Sequence, residues 1–294
     1  MDTPGTITIF QVDAFAEQPF KGNPAGVCIL EKPLDDAMMQ NIAAEMNLSE
    51  TAFAVPIPPG TIAGAFKFQL RWFTPACEVD LCGHATLATA KILYDIFEVK
   101  HKTIAFDSRS GELKVRRDNE FIQLDFPAGE PQPIKLPDYY MNALGRFRAE
   151  LADKIVAAAK CARTSILVVQ LSDPAEVKKL SPDFADLAQA EDSYGSKGVC
   201  VTAAADKPYD FISRFFAPCY GINEDPVTGA AHTVLAPYWQ ALLNKRKMNA
   251  FQASARGGEV AVEVKEEAGG HRRRVLISGK AVIVMEAVMK LAGV

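Results

Sequence analysis

The sequence predicts an α+β protein of two pseudo-symmetric halves, each with a barrel-like, mostly antiparallel sheet wrapped around a central buried helix. Three observations lead there. First, Gly83-His84-Ala85-Thr86-Leu87-Ala88-Thr89-Ala90 opens a helix with no polar face before Lys91, and a helix that is apolar all round has to be buried. Second, short strand-like runs separated by turn residues crowd around that helix, the pattern of a strongly curved sheet. Third, the arrangement occurs twice. Arg71-Trp72-Phe73-Thr74-Pro75 leads to Gly83-His84-Ala85-Thr86, as Arg214-Phe215-Phe216-Ala217-Pro218 leads to Gly229-Ala230-Ala231-His232-Thr233. Ser110-Gly111-Glu112-Leu113-Lys114-Val115 is echoed by Gly257-Gly258-Glu259-Val260-Ala261-Val262. Two echoes in one order, at nearly one offset, argue for related halves.

In chain order, Thr6 to Asp13 alternates as a strand, Phe20 to Pro24 turns, and Ala25 to Leu30 is a second strand. Asp35 is placed to cap a helix through Met46, with Met38, Ile42 and Met46 on its inner face and Asn47 at its end. A buried strand starts at Thr51, which leaves Glu50 at its edge. Phe66 to Phe73 continues the sheet, the buried helix runs from His84 to about Phe97, and strands follow at 103–106, 111–116 and 121–126. The proline-bearing stretch Pro127 to Pro137 reads as the linker. Beyond it the residues predict a helix over 139–159, a strand at 165–171, a helical region between 174 and 190, and strands at 198–203 and 210–216. The second buried helix starts near Gly229, with Pro237 kinking it or ending its first section. Glu259–Lys265 and Arg274–Ser278 form a hairpin across Gly269-Gly270, and Ala281–Met285 is a last strand able to pack on either half.

A chain of 294 residues that is 49% hydrophobic can bury two ordinary cores. Its net charge of −4 gives no general attraction to nucleic acid or to anionic membrane. The clusters Lys245-Arg246-Lys247 and His271-Arg272-Arg273-Arg274 sit in turn-like sequence and read as solvated. Six cysteines without paired metal-ligand spacing fit a reduced, cytoplasmic protein. Met1-Asp2-Thr3-Pro4 has no export signature, and no apolar run spans a bilayer.

A buried helix start offers unpaired N–H groups at the positive end of the helix dipole, a seat for a carboxylate. Two such starts are expected to face each other across a cleft between the halves. Glu50, Asp80, Cys82 and His84 gather there from the first half, and Glu224, Asp225, Thr228 and His232 from the second. HExxH, Walker, GxGxxG and GxSxG patterns are all missing from the sequence, so metal hydrolysis, nucleotide binding and serine esterase chemistry are unsupported. A carboxylate and an imidazole beside anion-receptive helix starts suit moving a proton on and off carbon in a small carboxylate-bearing metabolite, with no cofactor and no metal. Glu50 would then need a pKa raised toward ~6–7, by burial beside Phe53 and by Asp225 as a like charge.

The blocks Gly22-Asn23-Pro24, Asn47-Leu48-Ser49-Glu50-Thr51, Arg71-Trp72-Phe73-Thr74-Pro75, Leu81-Cys82-Gly83-His84-Ala85-Thr86 and Glu224-Asp225-Pro226-Val227-Thr228-Gly229 resemble the signature of the phenazine biosynthesis PhzF isomerase family, in order and spacing from near residue 6 to near 285. The resemblance implies a diaminopimelate epimerase-like fold, with domains at 1–128 plus 279–294 and at 129–278, and a homodimer. It implies Glu50 as general acid/base with His84 and Asp225 as catalytic partners. It places Ser49, Cys82, Gly83, Thr228, Gly229 and Ala230 against the substrate. In the phenazine enzyme these groups isomerise dihydro-3-hydroxyanthranilate. The family's active-site serine is Ala230 here, which points to a related but different ligand. Two alternatives stand beside this reading. Racemases of the same fold use one cysteine per half, and Cys82 resembles their first, whereas Asp225-Pro226 occupies the place of the second and Cys219 lies several residues too early. The other alternative is a protein that binds a metabolite without turning it over.

Overall fold

The computed structural model describes residues 5–58, 61–145, 149–266 and 273–291. Met1–Pro4, the Gly269-Gly270 turn and the His271-Arg272 part of the second basic cluster lie outside them. The chain forms two compact units, 1–125 with 278–294, and 126–277. Among the described residues no helix is long and apolar enough to cross a membrane.

In the first unit, β1 (Thr6–Ala14) pairs antiparallel with β2 (Asn23–Ile29). The helix α1 (Asp36–Met46) begins where Asp35 Oδ1 takes the Met38 N–H at 2.8 Å and ends at Asn47 in the left-handed conformation, both as the residue types require. Its buried face is Met39, Ile42 and Ala43, with Met38 and Met46 partly buried at the margins. The apolar stripe is therefore rotated slightly from the Met38-Ile42-Met46 line. From α1 the chain enters β3 (Glu50–Pro56), parallel to β2, then β4 (Lys67–Phe73), antiparallel to β3. A two-residue strand, β5 (Glu78–Val79), folds back on β4. It delivers the chain to α2 (Gly83–Asp95), in which every residue from His84 to Ala90 is buried. β6 (Thr103–Ser108) lies parallel to β4, and β7 (Gly111–Asp118) and β8 (Phe121–Pro127) follow antiparallel.

The second unit departs from the expected elements at its beginning. The anticipated linker contains a strand, β9 (Pro131–Ile134). Its prolines are two residues apart, so both missing donors fall on one side of the strand and leave the ladder to the next one intact. The helix expected over 139–159 is confined to α3 (Asp138–Gly145); Ala149–Lys154 is a 3-10 turn and Ile155–Cys161 is the strand β10. Its alanines favour a helix, but β10 finds backbone partners on β9 and on β11 (Leu167–Leu171), and two ladders outweigh a propensity worth tenths of a kcal/mol per residue. Two capped helices follow, α4 (Pro174–Lys178) and α5 (Phe184–Tyr194).

From there the second unit repeats the pairing order of the first. β12 (Val199–Ala204) is parallel to β11, β13 (Phe211–Ala217) antiparallel to β12, and β14 (Ile222–Asp225) folds back on β13. It leads to α6 (Gly229–Leu243), then β15 (Lys247–Gln252) parallel to β13 and β16 (Gly258–Glu266) antiparallel to β15. β17 (Arg273–Gly279) completes the unit, and β18 (Ala281–Lys290) pairs antiparallel with β1 in the first. Pro237 lies inside α6 without ending it. Having no N–H, it leaves the carbonyl of Thr233 without a helical partner. Gly129 N–H donates to that carbonyl at 2.8 Å, and a Cβ on Gly129 would come within 2.9 Å of Val234.

An arginine fork locks each hairpin that leads into a buried helix. Arg71 Nε and Nη2 donate to the two carboxylate oxygens of Glu78 at 2.7 and 2.6 Å, and its guanidinium lies 5.1 Å from the Phe73 ring centre. Arg214 does the same with Glu224 at 2.7 and 2.8 Å, 5.0 Å from Phe216. Arg214 also donates Nη1 to Leu180 O at 2.6 Å, whereas Arg71 Nη1 goes to the exposed Asp36. Breaking a buried pair strands the remaining charge. Arg214→Met should accordingly lower unfolding free energy in urea by about 3 kcal/mol or more, and Arg71→Met, with one arm in solvent, by less.

Candidate active site

A tight turn places the first polar group. Gly22 has φ +64°, and a Cβ there would sit 2.1 Å from Ala14 O, so only glycine lets the chain enter β2 with Asn23 fully buried at its first position. Glu50, the first residue of β3, pairs alongside Ala25. Cys82 is the N-cap of α2 but makes no side-chain cap bond; the residue after Gly83 is His84. Three elements thus bring Asn23, Glu50, Cys82 and His84 together.

His84 Nε2 lies 3.2 Å from Glu50 Oε2. That is an ion-pair distance, and Oε2 is buried without a hydrogen-bond partner among the described residues. On the other side of the ring, Asn23 Nδ2 is 3.2 Å from Nδ1. Cys82 Sγ is 3.5 Å from Nδ1 and 4.0 Å from Nε2. The Glu50 side chain is only 13% exposed, and Cys82 and His84 are buried.

Burial alone would strip His84 of its proton, but Cys82 and Glu50 outweigh it and hold the ring well above its ordinary pKa. Burial, and then the Glu50 carboxylate, push Cys82 up to about 11. At neutral pH Cys82 is therefore a thiol, which removes its share of what raises His84 and leaves Glu50 as the group that favours a proton on the ring. Glu50, Cys82 and His84 could each offer a metal one ligand atom, all within 4.8 Å.

In the second unit, Asp225 ends β14 and Thr228 is the N-cap of α6, again without a side-chain cap bond. Thr228 Oγ1 donates to Asp225 Oδ2 at 2.6 Å. Gln252, fully buried at the end of β15, braces both: its amide donates to Asp225 O at 2.7 Å and to Thr228 Oγ1 at 3.1 Å, and its Oε1 accepts the Thr228 N–H at 2.9 Å. No motif marks Gln252 in the sequence.

Three expected site residues serve structure. Glu224 is held in the Arg214 fork. Asp80 has an exposed side chain, and its carbonyl accepts the Ser110 hydroxyl at 2.8 Å. His232 is buried beside Phe211, with Nδ1 donating to Thr228 O at 2.8 Å. That bond reaches back four residues to the N-cap carbonyl, as Thr86 Oγ1 does to Cys82 O at 2.5 Å. His232 is thus the counterpart of Thr86, and the helix position of His84 is filled in the second unit by Ala230, which is exposed. Ser49 is partly buried next to Glu50, and Gly229 is buried. Cys219 sits in the exposed turn Pro218–Tyr220, away from any helix start, where its N–H donates to the buried Glu191 at 3.0 Å.

The sequence pattern described as phenazine biosynthesis-like protein matches residues 12–287. A protein of Pseudomonas aeruginosa named an uncharacterized isomerase is 45% identical over 97% of this chain and 99% of its own. The crystal structure of a PhzF family protein from Enterococcus faecalis superposes with TM-score 0.84 at 43% identity, covering 97% of this chain and 99% of that one. A hydroxyproline epimerase from Agrobacterium vitis, at 10% identity and TM-score 0.61 over 99% of this chain and 94% of that one, shares the mixed α/β fold.

Two outcomes follow from the electrostatics. In the native protein at pH 7.5, an alkylating reagent should modify the exposed Cys77 and Cys219 and leave Cys82 intact until the protein is unfolded, as read by peptide mass spectrometry. Burial pushes His232 down to about 4 from 6.5. Its neutral ring stabilises the fold above pH 6.5, and that contribution drains away as pH falls toward 4, because the unfolded chain takes up the proton first. His84, with its pKa raised, works in the opposite sense: its contribution is full below 6.5 and lost as pH rises past the raised value. His232→Thr, which supplies the hydroxyl used at this position in the first unit, should flatten the acid loss in denaturation curves between pH 6.5 and 4.

Proposed function

The chain belongs to the phenazine biosynthesis-like family, and from that premise we propose that it is an isomerase that moves a proton between carbons of a small carboxylate-bearing metabolite, with Glu50 as general acid/base. The observation that carries this reading is the buried Glu50 Oε2, without a hydrogen-bond partner among the described residues and 3.2 Å from His84 Nε2. A ring whose Nδ1 takes the Asn23 amide N–H carries its proton on Nε2, the nitrogen that faces Glu50, so it cannot accept a proton there and the base of the pair is Glu50. Oε2 would take the proton from a C–H bond, the electron pair would move into the substrate's adjacent unsaturation, and the same proton would return at another carbon. His84 would face the charge that develops meanwhile, fixed in direction by its contacts to Asn23 and Glu50. The uncapped first turn of α2, at Gly83 and His84, would hold the substrate carboxylate. Proton transfer between carbons needs no cofactor.

Asp225 keeps the catalytic role implied by the resemblance, with Thr228 and Gln252 fixing its orientation. The sheet of each unit as a barrel around its helix, an ancestral duplication and a homodimer belong to the same proposal. Ala230 in place of the family's serine supports a ligand that differs at the group the hydroxyl would meet. A two-thiol racemase is disfavoured by Cys82, pushed up to about 11, and by Cys219, which is held in a surface turn.

Glu50→Gln keeps the side-chain shape and removes the base. A panel of small carboxylate metabolites incubated in heavy water and read by mass shift should find one that exchanges with the native protein and loses about 10²- to 10⁴-fold in rate with the variant. Undiminished exchange in Glu50→Gln would falsify the assignment.

A further inference from the structure

We propose that Asn23 is a positioning residue for His84: its amide holds the same ring nitrogen in both charge states of the imidazole, so that the ring keeps its aim at Glu50 while its proton comes and goes. The catalytic consequence rests on the isomerase reading; the contact itself does not.

The case begins with what Nδ1 requires. In a neutral ring with its proton on Nε2, Nδ1 is an acceptor; in the imidazolium it is a donor. An aspartate there would serve only the charged ring, and a leucine neither. An amide serves both, since Nδ2 donates, Oδ1 accepts, and a half-turn of the group exchanges two atoms of nearly equal size. Asn23 Nδ2 stands 3.2 Å from Nδ1, which is the partner of the neutral ring, and that pairing puts the ring proton on Nε2, facing Glu50.

The surroundings make this more than a chance contact. Asn23 is fully buried, and the left-handed Gly22 forces it into place at the head of β2. The titratable groups against the ring are Glu50 on β3 and Cys82 at the head of α2. Of the other strands packed on α2, β1 carries Asp13, buried and occupied by the Phe20 N–H at 2.7 Å, and β18 carries Glu286, which is exposed. Asn23 is thus a neutral group in direct contact with the ring. It orients the imidazole without committing it to one charge.

The chain has four histidines, so histidine labelled with ¹⁵N in the full-length protein gives a spectrum in which His84 is assigned by its loss in His84→Gln. In Asn23→Asp the His84 titration midpoint should rise by about one unit or more, since a carboxylate favours the charged ring. In Asn23→Leu both partners are lost, and because the bond to the charged ring is the stronger of the two, the midpoint should fall by about half a unit or more. Once a substrate is in hand, Asn23→Asp should lower kcat about tenfold with little change in KM, and move the pH profile in the same direction as the midpoint. Midpoints within 0.3 units of the native value in both folded variants, on the ~1-unit scale expected, would overturn the proposal. Should Asn23→Asp fail to fold, Asn23→Leu, uncharged and similar in volume, decides alone. Shifted midpoints in a protein that exchanges no metabolite count against the isomerase reading and leave the role of Asn23 standing.

Discussion

The interaction on which the first unit depends is a buried imidazole facing a buried carboxylate across 3.2 Å. A carboxylate at that depth needs a donor or an opposite charge beside it, and the Nε2 side of the ring is what the fold supplies. Holding them requires three separate pieces of backbone: the start of β3 for Glu50, the start of α2 for His84, and the start of β2 for Asn23 on the far side of the ring. Each residue lies at or next to the first position of its element, where side-chain direction is set by a whole strand or helix packed behind it. The pair is held from element ends, and one carboxylate oxygen has no hydrogen-bond partner among the described residues.

The two units meet the same backbone requirements with different side chains. The arginine fork is retained almost atom for atom, Arg71 with Glu78 and Arg214 with Glu224. The bond from the helix back to its N-cap carbonyl is kept too, but a threonine hydroxyl makes it in one unit and a histidine ring in the other. The second helix position differs most, His84 in one unit and the exposed Ala230 in the other. Loss of a scaffold contact leaves buried polar groups unpaired, a constraint that does not act on an exposed alanine.

Local signals were the legible part of the sequence. Asp35 and Asn47 delimit α1 because caps act within one turn, and the apolar circumference of α2 announced its burial. Glu50, Cys82 and His84 could be grouped because they flank those elements. What stayed hidden depends on partners distant in the chain. The alanines of β10 read as helix until β9 and β11 are beside them, and the prolines of β9 read as linker until their alternation matters in a ladder. Glu224 and His232 resemble chemistry when seen in sequence, and only the Arg214 fork and the Thr228 carbonyl reveal them as structure. Gln252 carries no sequence signal, since its role exists only where β15 ends beside Thr228.

The pairing of β1 with β18 has a consequence for how the protein is made. β1 needs β2 on one side and β18 on the other, and β18 follows all of the second unit in the chain. A ribosome therefore delivers the whole of residues 126–277 before the first unit can close its sheet. The later-synthesised unit is free to reach its native contacts first, while the earlier one waits with an open flank along β1. Until β18 emerges, the backbone groups on that side of β1 have only water to pair with.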